Sequence, residues 1–334
     1  MSIDIRYLLF LQQLRMATGG LLDEIFNSLS KFIVTVVPIL PYVMFWAVDK
    51  SWGYRYLLTQ QLGEVINGLL KLTVCAYRPW IRSDLIEPAG DSKVAATGYS
   101  FPSGHTMVAA TMLGTTAMKY WKENRKVSVW CMILIVLTGF SRNFLGVHTP
   151  QDVIAALVES ILLILLIAKA WEAWEGNEKM IDRLTILGVI FLVLSFLYIT
   201  YKPYPMDYVD GKLLVDPKAM QNDTFKGFGG LAALLLGSYI DRHYLHYEIP
   251  HGHEKLPLLT AVGAGIVYGW IELFGKATVV AWFGKHWGNA LCYFIAVMFG
   301  LVIYPMIIRK VCAEKQSETA AFIHVPAGEK VPAE

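Results

Sequence analysis

Charge is what this sequence has least of. Of its 334 residues only 17% are charged, whereas 55% are hydrophobic, and the mean hydropathy is +0.45. An ordinary soluble domain has about a quarter of its residues charged. So few charges cannot clothe a water-facing surface, which points to an integral membrane protein. The net charge of +2 comes without a concentrated basic face and excludes nucleic acid as the expected partner. The four cysteines form no CxxC pair and no zinc spacing. Cys75, Cys131 and Cys292 sit inside apolar runs and Cys312 just past the last one, so reduced thiols rather than a disulfide framework are expected. The N-terminus lacks the marks of a signal peptide: its apolar run is short, Asp4 stands near the front, and no small-residue cleavage site follows. There is no internal repeat and no low-complexity tract.

What is present is apolar runs of membrane-spanning length. A spanning helix needs about 20 mostly apolar residues, and by that rule there are roughly nine. They lie near 29–48, 55–77, 104–121, 127–145, 151–172, 183–201, 226–242, 257–275 and 289–309, which predicts an all-α, polytopic transmembrane helical bundle. The second is the least apolar: Gln60, Gln61, Glu64, Asn67 and Lys71 should face protein or water rather than lipid. The short break between the fourth and fifth implies an antiparallel hairpin. Gly227, Gly229, Gly230 and Gly237 allow the seventh to pack closely. Ahead of the first, Ile3, Tyr7, Phe10, Leu11 and Leu14 share a face opposite Asp4, Gln12 and Arg15, as in a helix lying on the membrane. Lys and Arg are slightly more frequent on the side of the C-terminus, which places the C-terminus in the cytoplasm and the N-terminus outside.

Three stretches hold the informative polar residues: "KLTVCAYRP" (71–79), "FPSGH" (101–105) and "SRNFLGVHTPQD" (141–152). The first closes the second span, the next opens the third, and the last joins the fourth to the fifth. Topology alone therefore brings all three to one membrane face. Lys71, Arg78 and Arg142 are three cations with no matching anions, and like charges gather only around something negative. Phosphate fits, and arginine meets its oxygens with paired donors. Ser103 and the Gly104 N–H stand at a helix start, another place suited to phosphate. In "HTPQD", Thr149 reads as an N-cap, Pro150 as the first helical residue and Asp152 as a capping-box acid. Asp152 then lies one turn from His148 and is able to fix its tautomer, leaving the other ring nitrogen free to attack phosphorus. His105 is placed to protonate the departing oxygen. The cations take the part a metal would play, so no metal ligand set and no cofactor is required.

The three stretches, "K-x6-RP", "PSGH" and "SR-x5-H-x3-D" in this order, resemble the signature motifs of the type-2 phosphatidic acid phosphatase superfamily, which includes acid phosphatases, glucose-6-phosphatase and vanadium haloperoxidases. Lys71, Arg78, Pro79, Pro102, Ser103, Gly104, His105, Ser141, Arg142, His148 and Asp152 all match, with no departure at a motif position. The resemblance implies His148 as a nucleophile forming a phosphohistidine, Asp152 as its orienter and His105 as general acid. It implies that Lys71, Arg78, Ser103, Gly104 and Arg142 hold the phosphoryl group, that hydrolysis is metal-independent and that vanadate inhibits. The expected organisation is an interfacial helix (1–28), a phosphatase core (29–201), a transmembrane extension (202–310) and a flexible polar tail (311–334).

Single residues have plainer readings. Lys71 alone would snorkel to the headgroups, Asp152 and Ser103 alone would be helix caps, and a lone histidine is usually a packed one. None of these predicts the whole set on one face. Trp80 and Arg82, just past the first motif, are equally suited to touching substrate or anchoring the interface. Trp270 and Glu272 are candidates to mark a cavity but fit interfacial or bundle packing better; His243, His246, His251 and His253 suggest metal binding but lack a coherent ligand motif and fit a solvated loop on the opposite face better. The expected partners are membrane lipids and a phosphate-ester substrate, foremost a lipid such as an isoprenoid diphosphate, phosphatidic acid or phosphatidylglycerol phosphate. A water-soluble ester is the second reading, and a non-catalytic anion transporter or binding protein the third. The latter has no use for an oriented nucleophile, and a haloperoxidase has none for these apolar spans. The expected location is the plasma membrane, with the site on the non-cytoplasmic face.

Overall fold

The computed structural model describes residues 1–323 except residue 97, with side chains through residue 313 apart from 95 and 276. Among the described residues the regular structure is helical, except for a two-stranded hairpin, β1 (Tyr208–Val209) and β2 (Lys212–Leu213). Asp210 and Gly211 turn that hairpin with positive φ at both positions, as a tight two-residue loop requires.

The longer helices, in order, are α1 (Ile3–Ala17), α2 (Leu21–Val48), α3 (Lys50–Val74), α4 (Gly104–Tyr120), α5 (Arg125–Phe144), α6 (Pro150–Trp174), α7 (Glu178–Tyr201), α8 (Pro217–Ile240), α9 (Leu256–Phe274) and α10 (Gly275–Met298, continuing to Ile323). Gly284, at φ +74°, breaks α10 near its start. Side chains cap the helix starts by taking up N–H groups that have no partner in the first turn. Asp49 accepts from Trp52 N, Asn124 from Val127 N, Asn177 from Met180 N and Asp216 from Lys218 N.

Each of the nine expected spans is a helix, but among the described residues six are long and apolar enough to cross a membrane: α2, α5, α6, α7, α9 and the α10 stretch Ala277–Ala313. The chain is therefore an integral, multi-pass membrane protein. The other three are the inner helices. α4 is only 17 residues long, and α3 and α8 carry polar side chains. Their polar groups face neighbouring helices: Gln60, Gln61, Asn67 and Lys71 of α3 are buried, as their crowding in one segment predicts. α3 packs against α4, α6 and α8, and α8 in turn against α7 and α10.

Glycines set the close approaches. A Cβ on Gly230 would lie 1.8 Å from Gln61 Oε1, and one on Gly229 1.9 Å from the Ala290 carbonyl oxygen. The Phe45 ring meets Tyr54 and Tyr247, and Trp46 meets Tyr42, at the opposite end of α3 from the motifs.

Two terminal elements show detail that the sequence did not reveal. α1 is a helix, but its polar face is turned inward: Asp4, Ile5, Leu8, Leu11 and Arg15 are buried, while Ile3, Phe10 and Leu14 are exposed. The reason is the loop after α3, which α1 covers. Asp4 pairs with Arg82 at 2.7 Å, Gln12 bonds Leu85 O and Glu87 N, and Arg15 bonds Glu87 O. The tail expected from residue 311 is helical as far as Ile323; its remainder, 324–334, lies outside the described residues.

Candidate active site

Three local turns build the site. α3 ends at Cys75 in a left-handed conformation (φ 52°, ψ 35°), and the chain then runs extended to Arg78, held so by the following Pro79. Ser100 N donates to Ala76 O at 2.8 Å and ties the second motif to the first. Ser103 N donates to Asp152 O at 2.9 Å and ties the second to the third. At the end of α5, Gly146 takes φ +72°, and the chain doubles back until Val147 N and His148 N both donate to Arg142 O. A left-handed glycine one step past a helix is the usual way to make such a reversal. It explains why a histidine six residues after an arginine shares its site.

The third motif caps α6 as its sequence indicates. Thr149 Oγ1 accepts from Asp152 N, Asp152 Oδ2 accepts from Thr149 N at 2.7 Å, and Pro150 opens the helix. The same Oδ2 lies 3.3 Å from His148 Nδ1 and accepts from Ser100 Oγ at 2.6 Å. Asp152 is thus a cap and a histidine partner at once. On the other side of the ring, His148 Nε2 is 2.9 Å from Arg78 Nη1. A guanidinium can only donate, so Nε2 is the lone-pair nitrogen and Nδ1 carries the proton toward Asp152. Burial, reinforced by the Arg78 cation, holds the His148 imidazole well below the ordinary histidine range despite the opposing pull of Asp152.

The cations converge on one cavity of about 460 Å³. Lys71, Arg78, Gly104, His105, Arg142 and His148 all line it. Lys71 Nζ is held by Pro102 O and, at 3.4 Å, Ser100 O. Arg78 Nη1 also donates to Val147 O at 3.0 Å. Arg142 Nη1 donates to Ser30 Oγ at 3.0 Å, while its Nε is buried without a hydrogen-bond partner. A Cβ on Gly104 would meet nothing nearer than Asn67 Oδ1 at 3.8 Å, so the helix start is open to the cavity. His105 is within electrostatic reach of Arg142, His148, Arg78 and Lys71.

The remaining sequence-predicted residues lie outside this lining. Ser103 is fully buried, and its hydroxyl accepts from Thr106 N and Thr106 Oγ1 as the cap of α4. Trp80 stands beside Arg78, whose guanidinium carbon is 5.8 Å from the ring centre. Arg82 is committed to Asp4. Neither Trp80 nor Arg82 borders the cavity.

Several participants escaped sequence reasoning. Ser100, Ser30 and Asn143, which donates to His148 O at 3.0 Å, are ordinary polar residues until the turns bring them in. Asn67 donates to Glu159 Oε2 at 2.9 Å. Glu272, a cavity candidate that fits packing better by sequence, borders the cavity, together with Asp223, Thr224, Lys226 and Tyr293 from α8 and α10. Trp270 does pack, donating to Cys292 O at 2.9 Å. The Asp223–Lys226 pair, 2.6 Å apart in a helix of the bundle, was the legible signal, since charges at such depth usually face one another or a cavity. On the far face, His243 lies 3.1 Å from Asp182.

These motifs and this arrangement define the class: residues 52–175 match the PAP2 superfamily, and the chain belongs to it. Among its relatives is undecaprenyl-diphosphatase BcrC of Bacillus subtilis, 30% identical over 152 residues, which cover 43% of this chain and 72% of that protein. Phosphatidylglycerophosphatase B of the same species is 30% identical over 146 residues, covering 41% and 67%. The putative undecaprenyl-diphosphatase YbjG of Escherichia coli is 31% identical over 165 residues, covering 47% and 76%. No solved structure matches the chain. The family match ends at residue 175, so α7 to α10 lie beyond it.

Proposed function

We propose that this protein is a membrane phosphatase that hydrolyses a phosphate monoester or diphosphate, foremost of a lipid, through a phosphohistidine at His148. The observation that carries this reading is the orientation of the ring, with Nδ1 toward Asp152 and Nε2 beside Arg78 at the wall of a cationic cavity. An anion-binding or transport protein needs the cations but not an oriented, unprotonated imidazole.

The steps follow from the geometry. The phosphoryl group sits among Lys71, Arg78, Arg142 and the N-terminal N–H groups of α4 at Gly104, which stabilise charge growing on its oxygens. Ser103 shapes that helix start as its cap. His148 Nε2 forms a bond to phosphorus as the phosphorus–oxygen bond breaks. The departing oxygen keeps the electron pair and takes a proton from His105. Water then attacks phosphorus, His105 recovers a proton from it, the phosphorus–nitrogen bond breaks, and inorganic phosphate leaves. Asp152 stabilises the imidazolium character of His148 and holds the ring.

A lipid substrate is supported by the relatives, named for undecaprenyl diphosphate and phosphatidylglycerophosphate. It also suits a site at the end of α3, α5 and the start of α6, at headgroup level. On this reading α3, α4 and α8 also cross the bilayer, shielded by the six apolar helices. Residues 1–28 then form a membrane-surface helix, 29–201 the catalytic core, 202–310 the extension and 311–334 the tail. The slight excess of Lys and Arg on the C-terminal side supports a site on the non-cytoplasmic face of the plasma membrane. The test is release of inorganic phosphate by purified protein in EDTA, with inhibition by vanadate. Strict dependence on a divalent cation would contradict the mechanism.

A further inference from the structure

The cavity does not stop at the cations. Below Lys71, α3 presents Asn67, Glu64, Gln61 and Gln60 to the same space, and the helices beyond residue 202 close it with Asp223, Lys226, Glu272 and Tyr293. The eleven helical steps from Lys71 to Gln60 span about 16 Å, roughly half of a 30 Å hydrocarbon core. Polar side chains so deep in a bundle are expensive unless they meet one another or a polar occupant.

The two ends of the cavity want different things. The upper end is rich in donors: Lys71, Arg78 and Arg142, the last with a buried and unpartnered Nε. The deeper end is rich in acceptors. It holds the carboxylates of Glu64, Asp223 and Glu272 and Gln60 Oε1, which is buried with no hydrogen-bond partner on a residue only 8% exposed. Lys226, 2.6 Å from Asp223, and the Tyr293 phenol add donors among them. A hydrocarbon chain would offer no partner to Gln60 Oε1, and a second phosphate would face three carboxylates. Hydroxyl groups both donate and accept, so an alcohol carrying several of them fits the mixture.

Resting on the phosphatase reading above, we propose that the helices beyond residue 202 complete a leaving-group subsite, made by Gln60, Glu64, Asp223, Glu272 and Tyr293, that takes a polyol. The scissile phosphate is esterified to a hydroxylated alcohol rather than directly to a hydrocarbon chain. That alcohol belongs either to a free sugar or glycerol phosphate or to the phosphorylated headgroup of a lipid; the chemistry recognised is the same. In the reaction, the polyol oxygen keeps the electron pair of the broken phosphorus–oxygen bond, takes the His105 proton and leaves as the free polyol.

The test compares kcat/KM of the full-length protein in lipid nanodiscs, with EDTA, for three esters: a hexose 6-phosphate, a lipid with a phosphorylated glycerol headgroup, and farnesyl phosphate. At least one polyol ester should exceed farnesyl phosphate tenfold or more. Glu64→Gln and Gln60→Leu should each lower that ratio at least tenfold. A lead for the lipid ester identifies a membrane source of the polyol, and a lead for the hexose ester a soluble one. Farnesyl phosphate equal to or better than both, or variants that lower all three rates alike, overturns the subsite while leaving the phosphatase standing. Phosphate release from none of the three overturns this inference, and the lack of release from farnesyl diphosphate as well overturns the phosphatase itself. Product inhibition supplies a reading without variants: glycerol or hexose should compete with substrate and farnesol should not, and the reverse result contradicts the subsite.

Discussion

At the scale of single residues, one carboxylate oxygen organises the site. Asp152 Oδ2 faces His148 Nδ1 and accepts from Thr149 N and Ser100 Oγ, so the carboxylate is held on several sides, and Arg78 holds the far side of the histidine ring. Asp152→Asn should fold but lower kcat on the order of 10⁴-fold, as expected when the orienting carboxylate of a catalytic histidine becomes an amide. Near-normal turnover would reduce Asp152 to a helix cap. Ser100→Ala removes only a hydrogen bond to that carboxylate and should cost about tenfold in kcat, the equivalent of about 1.4 kcal/mol. The depressed His148 value sets the pH behaviour. Above about pH 6.5, the ordinary histidine value, the ring is neutral folded or unfolded. As pH falls below that, the unfolded chain takes up the proton first, so stability is lost until the folded value is reached. The acid limb of kcat/KM, corrected for ionisation of the substrate, should therefore fall below pH 6.5. A limb centred at or above 6.5 would mean that His148 is not the unprotonated nucleophile.

At the scale of elements, helix ends make the chemistry and helix contacts make room for it. The spacing in "SRNFLGVHTPQD" was readable because each residue has a local job: Arg142 at the end of α5, Gly146 in the reversal, Thr149 and Asp152 in the cap of α6. Partners chosen by the tertiary path were not readable. Nothing local distinguishes Ser100 or Ser30 from other serines, and the inward turn of α1 depends on a loop some seventy residues away. The cavity reading of Glu272 ranked below packing for the same reason, since what it borders depends on where α9 docks. The glycines of α8 were legible as close-packing residues, and they yield a prediction. Gly229→Ala drives a Cβ into the backbone of Ala290 and should lower stability by about 1–3 kcal/mol, seen as a lower midpoint of thermal unfolding in detergent. Gly265→Ala, where no atom lies within 4 Å, is the control. Equal midpoints for the two variants would contradict the observed packing of α8 on α10.

At the scale of the whole molecule, a polar interior is wrapped in an apolar exterior. α5, α6 and α7 expose Val136, Leu166, Ile186 and Leu194 outward, where lipid replaces water as solvent. α3 and α8 keep their polar groups inside and α4 is only 17 residues long, which is why six helices qualify by length and composition and these three do not. Single cysteines placed at Asp210 and at Glu123 test this with a membrane-impermeant thiol reagent on intact cells. Asp210 should label and Glu123 should not. Labelling of both, or of Glu123 alone, contradicts the proposed orientation.

The most direct test of the central claim is to trap the intermediate. Protein mixed with a phosphate-labelled substrate in EDTA is quenched within a turnover, kept alkaline and digested, and the labelled peptide is sequenced by mass spectrometry. The account predicts phosphate on the imidazole of His148, lost in His148→Ala and accumulating in a variant slow to complete hydrolysis. Label on another residue, or turnover that persists in His148→Ala, would contradict it.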